Sequence, residues 1–355
     1  MATFYNTFSQ SPRVLLCALG FFSLAGCASA EASLGGTTAV GETTGSGEGP
    51  NTVAKSALEE APTPPKVAGN PFTGASLWVN PYSQAASAAK SLAQRSKEQA
   101  LIIEKIAAQP SAVWLGEWSG NVKDFVSGVT KSAAGKMPVY VLYNLPYRDC
   151  GNYSKGGLND PESYRKWVRD IQSGVGNASA AFIVEPDALG LLDKCLNETQ
   201  KAERLSLLRD AVMVLRKNAN AAVYLDAGHA HWVPAPTMAD RLAHAGIEYA
   251  HGFALNTSNY GTTEANTSYG EEVSKITNGA HFVIDTSRNG NGPTATFEWC
   301  NPAGRHIGHA PTVNTGHPLV DAWLWAKPPG ESDGECNGGP KAGEFWLEQA
   351  LELGK

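Results

Sequence analysis

The chain contains no Cys-x-x-Cys pair, no EF-hand spacing of acids and no Gly-rich dinucleotide fingerprint after its first strand-like run. These absences count against a zinc site, an EF-hand calcium loop and a Rossmann cofactor domain. Charge is also scarce, at 17% of residues, with 28 basic against 34 acidic side chains and a formal net charge of −6. Nucleic-acid binding needs clustered Lys and Arg, so no nucleic acid is expected as a partner. No repeat of fixed period is visible. The apolar run Val14 to Leu24, preceded by Arg13, is too short to span a bilayer and has the shape of a secretory h-region.

What is present begins with an address. Residues 1–27 read as an export signal. Leu24-Ala25-Gly26-Cys27 resembles a bacterial lipobox, which would lipidate Cys27, and Ala28-Ser29-Ala30 would suit an ordinary signal peptidase. The lipobox is favoured because residues 28–68, rich in Gly, Ser, Thr, Ala, Glu and Pro and nearly free of large apolar side chains, read as the flexible tether a lipoprotein needs. Residues 69–355 are then a folded domain whose 42% hydrophobic content, taken over the whole chain, suffices for a large core. Beyond the targeting segment lie Cys150, Cys195, Cys300 and Cys336, an even number in an exported chain. They read as two disulfides with three possible pairings, of which the sequence-local one, Cys150 with Cys195 and Cys300 with Cys336, is preferred.

Strand-like and helix-like stretches alternate through this domain. Strands are expected at 75–79, 112–116, 138–143, 181–187, 222–226, 250–255, 281–285 and 322–326. Helices are expected at 83–107, 122–134, 161–173, 199–218, 237–245 and 342–353, the third opening on Pro161, whose missing amide is tolerated there. Such alternation makes a parallel sheet, and seven or eight strands favour closure. The expected fold is therefore α/β, a single distorted, TIM-like (β/α) barrel of about seven parallel strands with a cleft at their C-terminal ends.

Several strands end on carboxylates: Asp149 lies just past one, and Asp187, Asp226 and Asp285 close others, with Glu185, Glu331 and Asp333 nearby. One such Asp can simply cap the following helix. Four in succession at the carboxyl ends of parallel strands point to a shared acid/base site. Converging carboxylates without a His cluster suit hydrolysis of a glycosidic bond, in which one acid stays protonated and another ionised. His229-Ala230-His231 could bind a metal, but with Trp232 next to it a substrate contact for His229 fits as well, and no metal is expected. His306-Ile307-Gly308-His309 spells a tRNA-synthetase signature by chance. Trp114, Trp232 and Trp299 fall on the same rim, where indoles can stack on pyranose rings.

Asn70-Pro71-Phe72, Tyr143 to Cys150, Val184-Glu185-Pro186-Asp187, Tyr224 to His229, Asp285 to Gly290, Trp299-Cys300-Asn301 and Lys327 to Gly334 together resemble glycoside hydrolase family 6, in order from Asn70 onward. The resemblance implies an inverting β-1,4-glucanase that needs no cofactor. It assigns Asp187 as general acid and Asp149 as the group that raises its proton affinity and takes a proton from the attacking water through a second water held by Ser154. Tyr143 would lie under the distorted sugar, and Asp226 would bind sugar near the site. Asp333, paired with Arg288, is the remaining candidate base. Trp114, His229, Trp232, Asn256, Trp299, Lys327 and Glu331 would be subsite contacts. The family's disulfide pairing is the sequence-local one. Inversion implies acid and base carboxyls roughly 6.5–9.5 Å apart.

Exo-acting members roof the site with long loops and carry another Trp shortly after the position of Trp232. Here Val233-Pro234-Ala235-Pro236 lacks it and the span from Glu331 to Cys336 is short, so an open cleft and endo attack are expected. The alternatives are a cellobiohydrolase of the same family and a glucan-binding lipoprotein without catalysis, against which Asp187 and Asp149 both stand intact. The expected partner is a β-1,4-glucan polysaccharide met by a monomer, with membrane contact only through Cys27 and a location outside the cell.

Overall fold

The computed structural model describes residues 69–355. The signal and lipobox reading over 1–27, with Cys27, and the tether over 28–68 lie outside the described residues. In the described residues no helix is long and apolar enough to cross a membrane.

Seven strands form one parallel sheet in chain order: β1 Val113–Leu115, β2 Val139–Leu142, β3 Ala180–Val184, β4 Ala221–Asp226, β5 Gly252–Leu255, β6 His281–Asp285 and β7 Val320–Leu324. The helices are α1 Gln84–Leu92, α2 Lys97–Ala107, α3 Val122–Ala133, α4 Pro161–Val175, α5 Leu192–Cys195, α6 Glu198–Leu215, α7 Ala235–His244, α8 Thr263–Ile276 and α9 Leu347–Leu353. The strands read as unbroken apolar runs because both faces are buried. Alternate residues divide between two cores. Val139, Val141, Ala181, Ile183, Ala222, Ala254, Val283, Ala322 and Leu324 point into the barrel, and Tyr140, Leu142, Phe182, Val184, Val223 and Phe282 meet the helices.

Four strands contribute an alanine to the interior, and the room this leaves is filled from below. Phe72, fully buried, stacks on Tyr224 with ring centroids 5.9 Å apart. Asn70 fixes this plug: its Oδ1 accepts the Phe72 N–H at 2.8 Å and its Nδ2 donates to the Asp321 carbonyl at 2.9 Å. The motif Asn70-Pro71-Phe72 thus closes the N-terminal end of the barrel, opposite the rim of acids.

The sheet curls but does not close by a full ladder. Between β7 and β1 a single parallel bridge joins Ser111 to Trp325, with Ala112 N–H donating to the Trp325 carbonyl at 2.9 Å. Trp325 turns outward into a small core with Ile103 and Ile106 of α2, Ala85 of α1 and Ala350 of α9, which covers the seam.

Several expectations differ from the structure, and the strand expected to run to Asp187 ends at Val184. The helix expected at 83–107 is two, because Ser96 Oγ accepts the Gln99 N–H and restarts the helix as an N-cap. The strand expected at 75–79 is one bridge, Leu77 to Met137, below the start of β2. The final strand ends at Leu324 because Trp325 leaves its ladder for the seam. The closing helix starts at Leu347 rather than 342, since Gly343, Glu344 and Trp346 bond back to the backbone of Gly330 and Ser332.

Candidate active site

The loops that follow β2 and β3 carry Asp149 and Asp187, and their backbone is strained where it does so. Tyr147, Asp149, Cys150, Glu185 and Asp187 all have φ between 47° and 69°. Left-handed conformations are uncommon for such residues and cluster at functional sites.

Asp187 sits three residues beyond β3, and its N–H donates to Asp226 Oδ1 at 3.1 Å. Asp226 ends β4 and also accepts the Gly228 N–H at 3.0 Å, so its first task is to hold the backbone of Asp187. Burial, followed by the neighbouring charges of Asp226, Asp149 and Asp333, pushes the Asp187 carboxyl well above the ordinary carboxylate range. Burial lifts Asp226 to about 7.

Asp149 opens a short 3-10 turn, Asp149–Gly151, where Oδ2 accepts the Ser154 N–H at 2.9 Å. Its carboxyl is raised by burial, against the pull of Ser154, Asn152 and Arg148. The same turn is pinned by the Cys150–Cys195 disulfide, and Cys300–Cys336 pins the loops after β6 and β7. Tyr143 follows β2 directly. Trp114 meets its ring edge-on at 5.2 Å, and the Arg148 guanidinium lies 4.7 Å from its centroid.

Asp333 is placed differently. Its Oδ2 accepts from Arg288 Nη1 at 2.9 Å, Tyr260 Oη at 3.1 Å and the Asn301 N–H at 3.1 Å, and Lys327 Nζ lies 3.7 Å from Oδ1. Burial would raise this carboxyl, but the two cations outweigh it and hold the group below the usual range.

Lys327 Nζ also donates to the Ser332 carbonyl and lies 5.7 Å from the Trp114 ring centroid. Glu331 accepts from Gln84 at 2.9 Å. A cavity of about 740 Å³ takes in Trp114, Tyr143, Ser154, Lys327 and Glu331. His229 and Trp232 lie apart from this cavity on the β4 loop, their rings 5.6 Å apart, with His229 lowered by burial to about 4. Trp232 packs on Gly190 and Gly228, where a Cβ at Gly190 would come within 2.6 Å of the indole. Trp299 is half exposed and meets Tyr153 at 6.1 Å.

Residues 72–355 match Glycosyl hydrolases family 6. The chain belongs to that family. Endoglucanase A of Cellulomonas fimi is 44% identical over 286 residues, which are 79% of this chain and 61% of that protein. The endoglucanase Cel6 from Mycobacterium tuberculosis, solved with methyl-cellobiosyl-4-deoxy-4-thio-β-D-cellobioside, is 44% identical with a TM-score of 0.76, covering 80% of this chain and 98% of its own. The catalytic core of the cellobiohydrolase Cel6A from Chaetomium thermophilum is 29% identical with a TM-score of 0.71, over 81% of this chain and 98% of its own.

Within this family 6 domain, Asn256 departs from the expected sugar contact. It is fully buried, and its amide is spent on the Asp285, Gly261 and Asn259 carbonyls and the Gly261 N–H, so it shapes the loop after β5. Two strand-end acids are also scaffold. Glu185 accepts the N–H groups of Asn144 and Leu145, and Asp285 accepts those of Ser258, Ser287, Ala326 and Lys327. No cluster of His, Cys, Asp and Glu arranged to hold a metal occurs among the described residues.

Other residues matter that the sequence did not single out. Arg148 donates to Glu117 and to the carbonyls of Tyr143, Ser154 and Lys155, so one side chain ties Tyr143 to the loop of Asp149. Arg204, buried on α6, donates to the carbonyls of Pro146, Tyr147 and Ala188 and joins the loops after β2 and β3. Tyr260 gave no signal because the loop after β5 lacks a carboxylate. Glu117 could have been found, since it stands two residues past β1 as the other acids stand past their strands.

Proposed function

We propose that this chain is an exported endo-β-1,4-glucanase that hydrolyses cellulose-like glucans with inversion. The observation that carries the reading is Asp187, a carboxyl held well above its ordinary range by burial and by three other carboxylates. Such a group keeps its proton to higher pH than an ordinary carboxyl and gives it to the leaving glycosidic oxygen.

Tyr143 supports the sugar at the cleavage point, and Asp226 fixes the backbone of the acid. Asp149 raises the proton affinity of Asp187 by its charge and draws a proton from the attacking water through a second water, with Ser154 as holder. Asp333 serves less well as a base, because a carboxylate with three donors on one oxygen and a depressed pKa has little affinity for another proton. It holds Arg288 and Lys327 beside the site. Trp114, Lys327 and Glu331 bind glucosyl units on one side of the cleavage point, and His229, Trp232 and Trp299 bind them on the other.

Endo attack is supported by how little bridges the loops above the rim. Tyr153 meets Trp299, and His231 meets Phe297 at 4.4 Å, in contacts between exposed rings. The loop after Trp232 adds no further indole. With carboxymethylcellulose, viscosity is expected to fall steeply while few reducing ends have formed, and NMR of early cello-oligosaccharide products should show the α-anomer. Release of cellobiose at nearly constant viscosity would refute the endo reading, and an initial β-anomer would refute inversion.

The pH profile follows from the same charges. Asp187 must be protonated to act, so activity falls as pH rises through its pKa. Asp149→Asn removes one of the charges that raise that pKa. The alkaline limb of kcat/KM on cellotetraose should therefore move to lower pH, alongside a loss of rate from the missing proton acceptor. A limb that stays in place or moves up would contradict the coupling of the two acids.

A further inference from the structure

We propose that the glucan-binding cleft continues beyond Trp114, Lys327 and Glu331 onto a second platform made by Trp118 with Tyr82 and Phe125, which takes additional glucosyl residues of the same chain. This rests on the glucanase reading above and extends its substrate from a few sugars to a longer stretch of polymer.

Exposed aromatic side chains are the first observation. Tyr82, Trp118, Phe125, Tyr147, Tyr153, Phe297 and Trp299 are the exposed aromatics among the described residues, and all belong to segments at the C-terminal rim of the barrel. The other large exposed hydrophobics are aliphatic, Leu101 on α2 and Ile276 on α8. Exposing rings on one rim and nowhere else is what a sugar-stacking surface requires.

The cavity is the second. Its roughly 740 Å³ runs without a break from Tyr143 and Trp114 to Tyr82, Trp118 and Phe125, with Asn80, Gln109 and Lys341 supplying polar edges. A volume of that order holds a whole drug-sized ligand, more than the one or two rings that Trp114 and Lys327 can reach. Trp232 and Trp299 take no part in it, so the extension lies on one side of the cleavage point only.

The third observation is the way Trp118 is held. A Cβ at Gly116 would lie 2.5 Å from the indole, so the glycine lets the ring lie flat on the backbone. The Arg148 guanidinium lies 5.2 Å from the ring centroid and is itself clamped by Glu117 at 2.7 Å. Yet Trp118 is 55% exposed, and neither it nor Tyr82 or Phe125 packs into any of the three cores. A ring fixed on one side and open on the other loses little entropy when a pyranose stacks on it. Through Arg148 the platform also touches the residue that holds Tyr143 and the Asp149 loop.

The test is a chain-length series. Hydrolysis of cellotriose to cellohexaose by the wild-type protein, Trp118→Ala and Tyr82→Ala is followed as kcat/KM, with end-labelled cellohexaose to report which bond is cut. Wild-type kcat/KM should climb with length. Trp118→Ala should lose about five- to tenfold more on cellohexaose than on cellotriose, as expected for one lost ring contact, and should spread its cuts over more bonds. Tyr82, 77% exposed, can be truncated without disturbing the fold and should give a smaller loss of the same shape. Losses equal at every length, or none, in both variants would overturn the platform while leaving the glucanase reading intact. A wild-type protein that cleaves none of the series would overturn both.

Discussion

Asp187→Ala is expected to slow hydrolysis of carboxymethylcellulose and cello-oligosaccharides by about 10²–10⁴-fold, the usual worth of a positioned general acid. The loss should fall on kcat with little change in KM, because the proton is delivered only as the glycosidic bond breaks. Released reducing ends measure it directly, and a variant within threefold of wild type would remove Asp187 from the mechanism. The charge that makes the acid also costs stability. A carboxyl whose folded pKa is raised contributes stability that is fully present below its unfolded pKa and lost as pH rises through the folded one. At neutral pH the site therefore works against the fold, and Asp187→Asn should melt higher than wild type under mildly alkaline conditions while being nearly inactive.

Arg288→Met is the second large effect, this time on stability. Arg288 is fully buried against Asp333, donates to the Ser258 carbonyl and stacks 4.4 Å from the Tyr260 centroid. Methionine fills similar space but leaves Asp333 buried with Lys327 as its one neighbouring cation and with the Tyr260 and Asn301 donors. Breaking one side of a buried pair costs about 3–5 kcal/mol, which in a domain of this size lowers Tm by roughly 10 °C. Asp333 has a lowered folded pKa, so its stabilising term is present above the unfolded pKa and lost as pH falls through the folded one. The deficit of the variant should thus be largest near neutrality and shrink in acid. Adding Asp333→Asn should recover part of it. A calorimetric Tm within 2 °C of wild type at neutral pH would show that the pair carries no such weight.

Much of this was readable from the chain. Apolar runs ending in carboxylates gave the parallel strands and their active ends, and the long motifs gave the family. What could not be read was the direction each strand-end acid turns. Glu185 and Asp187 stand two residues apart at the end of the same strand, yet one carboxyl is consumed by the amides of Asn144 and Leu145 and the other is left to titrate. Asp285 resembles Asp226 in sequence context, and it is the four amides around it that make it scaffold. Asn256 failed for the same reason, because a side chain's partners across the barrel leave no local trace. The break at Ser96 was legible and missed, since a serine three residues before Gln99 is a start signal inside an otherwise helical run.

The plug at Phe72 fixes which way the domain faces. Asn70 and Phe72 are held against the N-terminal ends of the strands, while Asp149, Asp187, Asp226 and Asp285 lie at the opposite ends. The described residues therefore begin at the back of the barrel, away from the cleft.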